Sequence, residues 1–195
     1  QKLLWLAGDR IASRAIDDRV GAYVVLEALR LVAEEPGHAE VTAVATAQEE
    51  IGYSGGGART SAHSLEPDVA LVVDVTFSTD VPDVEKKELG DHRIGGGPVL
   101  SRGSAAHDGV FELLAKVAEE EGIPYTIQAS PKYTRTDADA IFLTRSGVPT
   151  GLVSVPNRYM HSPNEVVSIS DLRNTARLLA AFIRRLTPET DFTPR

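Results

Sequence analysis

Two adjacent glutamates, Glu49 and Glu50, stand in "ATAQEEIGYSGGG", where small apolar residues give way to a glycine cluster. Two adjacent aspartates, Asp17 and Asp18, precede a helical stretch. Asp74 lies inside the apolar run "VALVVDV", and His161 lies in "PNRYMHSPNE". Singly, most of these have an ordinary structural explanation. Asp17 or Asp18 can cap the helix that follows by offering an oxygen to its free N–H groups. The glutamate pair can be a solvated turn, and a lone histidine is most often structural. Asp74 is harder to place in this way, because an ionised carboxylate among apolar neighbours costs several kcal/mol unless a cation or strong donors offset it.

Together these residues offer one imidazole nitrogen and several carboxylate oxygens. That is the donor set a pair of zinc-like ions prefers, and with no cysteine in the chain no thiolate site is available. Two ions about 3.5 to 4 Å apart need a bridging carboxylate and a further acid to take a proton from water. On this reading Asp17 bridges, Glu50 and Asp74 are terminal ligands beside His161, and Glu49 remains as the general base. His38, His63, His92 and His107 stand in polar or helical settings and are read as structural. Asp137 is either an orienter of a ligand or a plain helix cap.

The elements that must position these groups alternate between strand-like and helix-like, the pattern of an α/β layer architecture. Residues 19–35 recur at helical spacing and stop at Pro36-Gly37. Residues 41–47 and 69–75 read as buried strands, and 55–64 as a short helix. After a glycine-rich stretch and a strand, 107–121 reads as an amphipathic helix. A strand at 125–129, a short helix at 138–145, a strand at 150–155 and a closing helix at 171–186, capped by Ser170 or Asp171, complete the chain. Apolar runs of this kind suit a sheet covered on both faces. The expected fold is a three-layer α/β/α sandwich with a mixed, mostly parallel sheet, in which ligands bind at the carboxyl ends of strands.

Bulk properties narrow the partners. The 195 residues are 42% hydrophobic and 25% charged, long enough for a sizeable core. The formal net charge is −8 and no dense basic cluster exists to follow a phosphate backbone, so nucleic acid is not an expected partner. No apolar run approaches the roughly 20 residues that span a bilayer, so a membrane is not expected either. A cytoplasmic location is the expectation.

The strings "SRAIDDRVG", "TAQEEIGYSGGG", "VVDV", "GGGP", "TDADA" and "GVPTGLVSVPNRYMHSPNEVV" resemble, in order and spacing, the glutamyl or leucyl aminopeptidase family of di-metal peptidases, which includes tetrahedral, dodecameric members. The likeness runs from about Gly8 to the final helix. It implies an exopeptidase acting on peptides with two divalent ions, zinc or cobalt, in a protein that forms homo-oligomers. It also implies that Asp17 bridges the ions, Glu50 and His161 complete one site, Asp74 belongs to the other, and Glu49 is the base.

Two departures matter. The family's remaining ligand, a histidine in a His-x-Asp motif near the N-terminus, has no counterpart before Asp17. "QKLLWLAGD" resembles the tail of the family's inserted β domain, so residues 1–8 read as its remnant and 9–195 as a catalytic domain lacking its N-terminal part. One ion is then expected to bind well and a second weakly. Arg135 also stands where the family has glycine before Thr-Asp-Ala. Two other functions compete. Some family members are labelled endoglucanases, and a glycosidase needs two carboxyl groups about 5 to 5.5 Å or 6.5 to 9.5 Å apart, which Glu49 with Asp17 or Asp74 could supply. The other competitor is a scaffold that folds without doing chemistry.

Overall fold

Alternation along two apolar strands builds the centre of the molecule. In the computed structural model, which describes residues 2–51, 55–82 and 84–193, strand β3 (Ala70–Phe77) pairs in parallel with β6 (Thr150–Asn157), with Val72 opposite Leu152 and Val75 opposite Val155. Successive side chains on a strand face opposite ways. Val75, Val153 and Val155 join the larger core, with helices α1 (Arg19–Glu34), α4 (Asp108–Glu120) and α6 (Ile169–Arg185). Val72 and Leu152 look to the other side, toward Ala138, Ile141 and Phe142 at helix α5 (Ala138–Ile141), against which α2 (Gly56–Leu65) packs.

Strand β4 (Val99–Gly103) pairs antiparallel with β6 and parallel with β5 (Thr126–Ser130), giving the order β3-β6-β4-β5. The sheet is mixed and mostly parallel, with helices on both faces, as expected from the sequence. A second antiparallel sheet, which the sequence reading lacks, joins β1 (Leu4–Trp5), β2 (Arg10–Ser13) and β7 (Glu165–Ser168). A short helix α3 (Lys86–Leu89) precedes β4. Among the described residues no helix is long and apolar enough to cross a membrane.

One expected strand does not form. Residues 41–46 have no β pairing, although their composition reads as buried strand. A strand needs a neighbour to take its backbone donors and acceptors. Among the described residues β3 is an edge of its sheet, and 41–46 face it across a cleft of about 2620 Å³ lined by Val41 and Val44 on one side and by Leu71, Val73 and Asp74 on the other. Val44 is left 37% exposed.

Smaller differences concern helix ends. The closing helix starts at Ile169 with Ser168 as its cap, accepting from the Ser170 N–H, rather than at Asp171. Asp171 is buried in the first turn, where its carboxylate accepts from the backbone N–H groups of Gly95 and Gly97 and so fixes the glycine-rich loop. The helix expected over 138–145 is only the four residues of α5.

The contact of β6 with α4 yields a stability prediction. Gly151 lies under α4, and a Cβ there would sit 2.7 Å from Val110 Cγ1 and 3.1 Å from Leu114 Cδ1. Both neighbours are buried in the core. Gly151→Ala should therefore lower stability by roughly 1–3 kcal/mol through overpacking. The check is a urea midpoint shifted down at constant slope; an unmoved or raised midpoint would contradict the packing.

Candidate metal centre

Four stretches far apart in sequence converge on one patch. Asp17 sits between β2 and α1, and its side chain is 9% exposed. His161 comes from the turn between β6 and β7, and its Nε2 lies 3.1 Å from Asp17 Oδ2 and 3.5 Å from Glu50 Oε2. One ligand atom from each of Asp17, Glu50 and His161 lies within 4.8 Å of the others. A second group of the same compactness contains Asp17, Asp18 and Asp74. Asp17 is common to both.

The glutamate pair is carried differently from expectation. Glu49 and Glu50 occupy one short 3₁₀ turn, Glu49–Ile51, rather than the end of a strand. The two carboxylates therefore diverge by helical rotation, not by strand alternation. Gly52, Tyr53 and Ser54 of the neighbouring glycine motif lie outside the described residues. Asp74 is likewise within β3, an edge strand of its sheet among the described residues, and faces the same way as Val72.

Asp18 belongs to the same patch and was passed over in the sequence reading. It does cap α1, with Oδ1 accepting from the Gly21 N–H at 3.0 Å, yet it also offers an oxygen to the group with Asp17 and Asp74. Gly21 makes room for this. A Cβ at that position would fall 2.0 Å from Asp18 Oδ2. The only hint in the sequence is the adjacency of the two aspartates. Asp137 accepts from Thr46 Oγ1 at 2.5 Å without making a side-chain cap to α5, and so ties the unpaired 41–46 stretch to the loop before that helix.

Burial and mutual repulsion raise the acids. The Asp74 carboxyl is pushed up to about 9, first by burial and then by the charge of Asp18. Asp18 rises to about 7, mainly by burial, against the stabilising N–H of Gly21. Glu49 rises to about 7 through burial and then the neighbouring Asp137, Glu50 and Asp17. Asp17 rises to about 6, by burial and then Glu50. In each case burial leads and neighbouring carboxylates add to the rise, while His161 offsets only part of it at Asp17 and Glu49. The donor set, one imidazole and hard carboxylate oxygens, fits a divalent ion.

This arrangement costs stability in the absence of an ion. Asp74→Asn removes a buried acid next to like charges while keeping its shape. It should raise the stability of the metal-free chain by roughly 0.5–2 kcal/mol, the usual trade between stability and function, and reduce its metal uptake. A thermal midpoint below that of the parent would contradict this balance.

Comparison with known proteins supplies a context for the patch. The profile of M42 glutamyl aminopeptidase matches residues 1–178. The lysyl aminopeptidase of Pyrococcus furiosus is 37% identical over 191 residues, covering 97% of this chain and 52% of that protein. A solved aminopeptidase from the archaeon Desulfurococcus kamchatkensis is 42% identical with a TM-score of 0.83, covering 97% of this chain and 53% of its own. A TET aminopeptidase from a Thaumarchaeota archaeon is 34% identical with a TM-score of 0.87, over 95% and 52% of the two chains. The chain spans about half the length of the curated relatives it matches. On the strength of a family match over most of its residues, the chain belongs to the M42 glutamyl aminopeptidase family.

Proposed function

We propose that this chain is the catalytic part of a metal-dependent aminopeptidase that removes N-terminal residues from peptides. The observation that carries the reading is the convergence of Asp17, Glu50 and His161, with Asp18 and Asp74 grouped around the same Asp17. Divalent cations bound there would acidify a water molecule to a pKa near 7 and polarise a peptide carbonyl. Asp17, Glu50 and His161 would hold one ion, and Asp17, Asp18 and Asp74 the other. Glu49, half-buried and raised into the neutral range by its surroundings, takes a proton from the attacking water and returns it to the leaving amine, the task of a general base that then acts as an acid. A glycosidase would use its acids as an unpaired donor and acceptor. An imidazole 3.1 Å from one of them favours the metal reading.

The domain assignment belongs to the same proposal. Residues 1–8 are read as part of an inserted β domain and 9–195 as the catalytic domain. Leu3, Leu4, Trp5 and Leu6 are 42–71% exposed on and beside β1, which suits a strand that continues into further structure or a subunit contact in a homo-oligomer. The Asp17, Asp18 and Asp74 group contains no nitrogen donor, unlike the group with His161.

The isolated chain should consequently hold one zinc tightly and a second weakly. After dialysis, elemental analysis should find about one ion per chain, and two tightly held ions would contradict the unequal groups. The function itself is tested with aminoacyl-p-nitroanilides and added zinc or cobalt. Hydrolysis abolished by EDTA supports the proposal. Hydrolysis indifferent to EDTA would overturn it, and a chain that takes up metal yet is inert under all conditions would favour the scaffold reading.

A further inference from the structure

Beside the ligand groups lies a carboxylate that the mechanism above does not use. Glu165 is 2% exposed, and its two oxygens gather N–H groups from three parts of the chain. Oε2 accepts from the backbone N–H groups of Ile16 at 2.5 Å and Asp17 at 3.2 Å. Oε1 accepts from the backbone N–H of His161 at 3.1 Å and, at a longer 3.4 Å, from Asn157 Nδ2. A carboxylate is an acceptor with about four lone-pair positions, and all four are engaged here.

The two residues it reaches are those that most need a fixed backbone. Asp17 and His161 both lie outside helices and strands, and His161 has φ +62, in the left-handed region that non-glycine residues rarely adopt. Among the described residues, neither N–H donates to a backbone carbonyl. Glu165 itself stands on β7, held opposite Ser13 in the ladder with β2. Its side chain therefore leaves a rigid element and ends on two irregular ones, which is how a supporting residue sets a site more precisely than loops alone can.

We propose that Glu165 is a positioning residue: its buried carboxylate locks the backbones of Asp17 and His161 together, so that their side chains present one cation site without Glu165 touching the ion. The proposal rests on the reading of Asp17 and His161 as ligands, but the backbone contact can be measured without metal. Glutamine at 165 would keep the shape and replace one oxygen with an amide donor. Either the Ile16 and Asp17 pair or the His161 and Asn157 pair would then face a donor with a donor.

The test uses the metal-free chain, zinc and amide hydrogen exchange. In the wild type, the amides of Asp17 and His161 should be protected although they lie in irregular chain. In Glu165→Gln, with circular dichroism confirming the fold, those amides and that of Ile16 should lose protection while amides of α4 keep theirs. Calorimetric titration of the same variant should show zinc affinity weakened about 10- to 100-fold, the scale for residues that orient ligands. Asp171→Asn, which alters another buried carboxylate that grips a loop elsewhere, should leave zinc affinity unchanged. Wild-type amides exchanging at free-peptide rates would overturn the proposal even if Glu165→Gln failed to fold. So would a folded Glu165→Gln with the parent affinity and protection. Protected amides in a wild type that binds no zinc would sink the metal reading and leave the backbone lock supported.

Discussion

Asp17→Asn should abolish tight metal binding to this chain. Asp17 is the one carboxylate common to both ligand groups, with its oxygen 3.1 Å from His161 Nε2. Its loss leaves Glu50 and His161 as a pair whose side chains are 50% and 61% exposed, and Asp18 and Asp74 as a pair without a third donor. Tight zinc sites need three or four protein ligands. Affinity should fall by on the order of 100-fold or more, beyond what disturbing a supporting residue costs. The change should not threaten the fold, because it removes a carboxyl already made unfavourable by burial and by Glu50. Equilibrium dialysis with zinc checks this, and a variant that retains the parent's ion would mean that Asp17 is not the bridge.

The second large effect separates chemistry from binding. Glu49 belongs to neither ligand group, although it shares a turn with Glu50. Glu49→Gln should leave metal content as it was and lower peptide hydrolysis by about 100- to 10,000-fold, the usual contribution of a positioned general base. Substrate binding should change little. The pattern is opposite to that of Asp17→Asn, where metal and activity go together. Loss of metal in Glu49→Gln would make Glu49 a ligand, and undiminished hydrolysis would remove its assignment as base.

How much of this could be read from sequence depended on what each feature is made of. The strands at 70–77 and 150–157 and the helices α1, α4 and α6 were legible because long apolar runs and helical recurrence are local signals. The strands β2 and β7, four residues each, are too short to show a period, so the small antiparallel sheet was invisible. Residues 41–47 carry a genuine strand composition, but a strand forms only where another strand pairs with it, and among the described residues none pairs with 41–46. The caps shifted for a related reason: Ser168, Ser170 and Asp171 are all competent caps, and tertiary contacts with Gly95 and Gly97 claimed Asp171.

The candidate site was legible at the level of residue type. Asp17, Glu49, Glu50 and His161 carry charge or imidazole where apolar chain turns irregular, Asp74 is a carboxylate inside an apolar strand, and Asp17, Glu50 and His161 share one group of potential ligand atoms. Asp18 was passed over because capping explained it, although one carboxylate has oxygens enough for both tasks. Glu165 was beyond reach, since three of its four partners are backbone N–H groups, one of them 149 residues away, which no side-chain motif encodes.

The most direct test of the account is anomalous scattering from a crystal soaked in zinc. It should give a strong peak bounded by Asp17, Glu50 and His161 and a weaker one by Asp17, Asp18 and Asp74. A zinc peak elsewhere, with none within reach of Asp17, would contradict it.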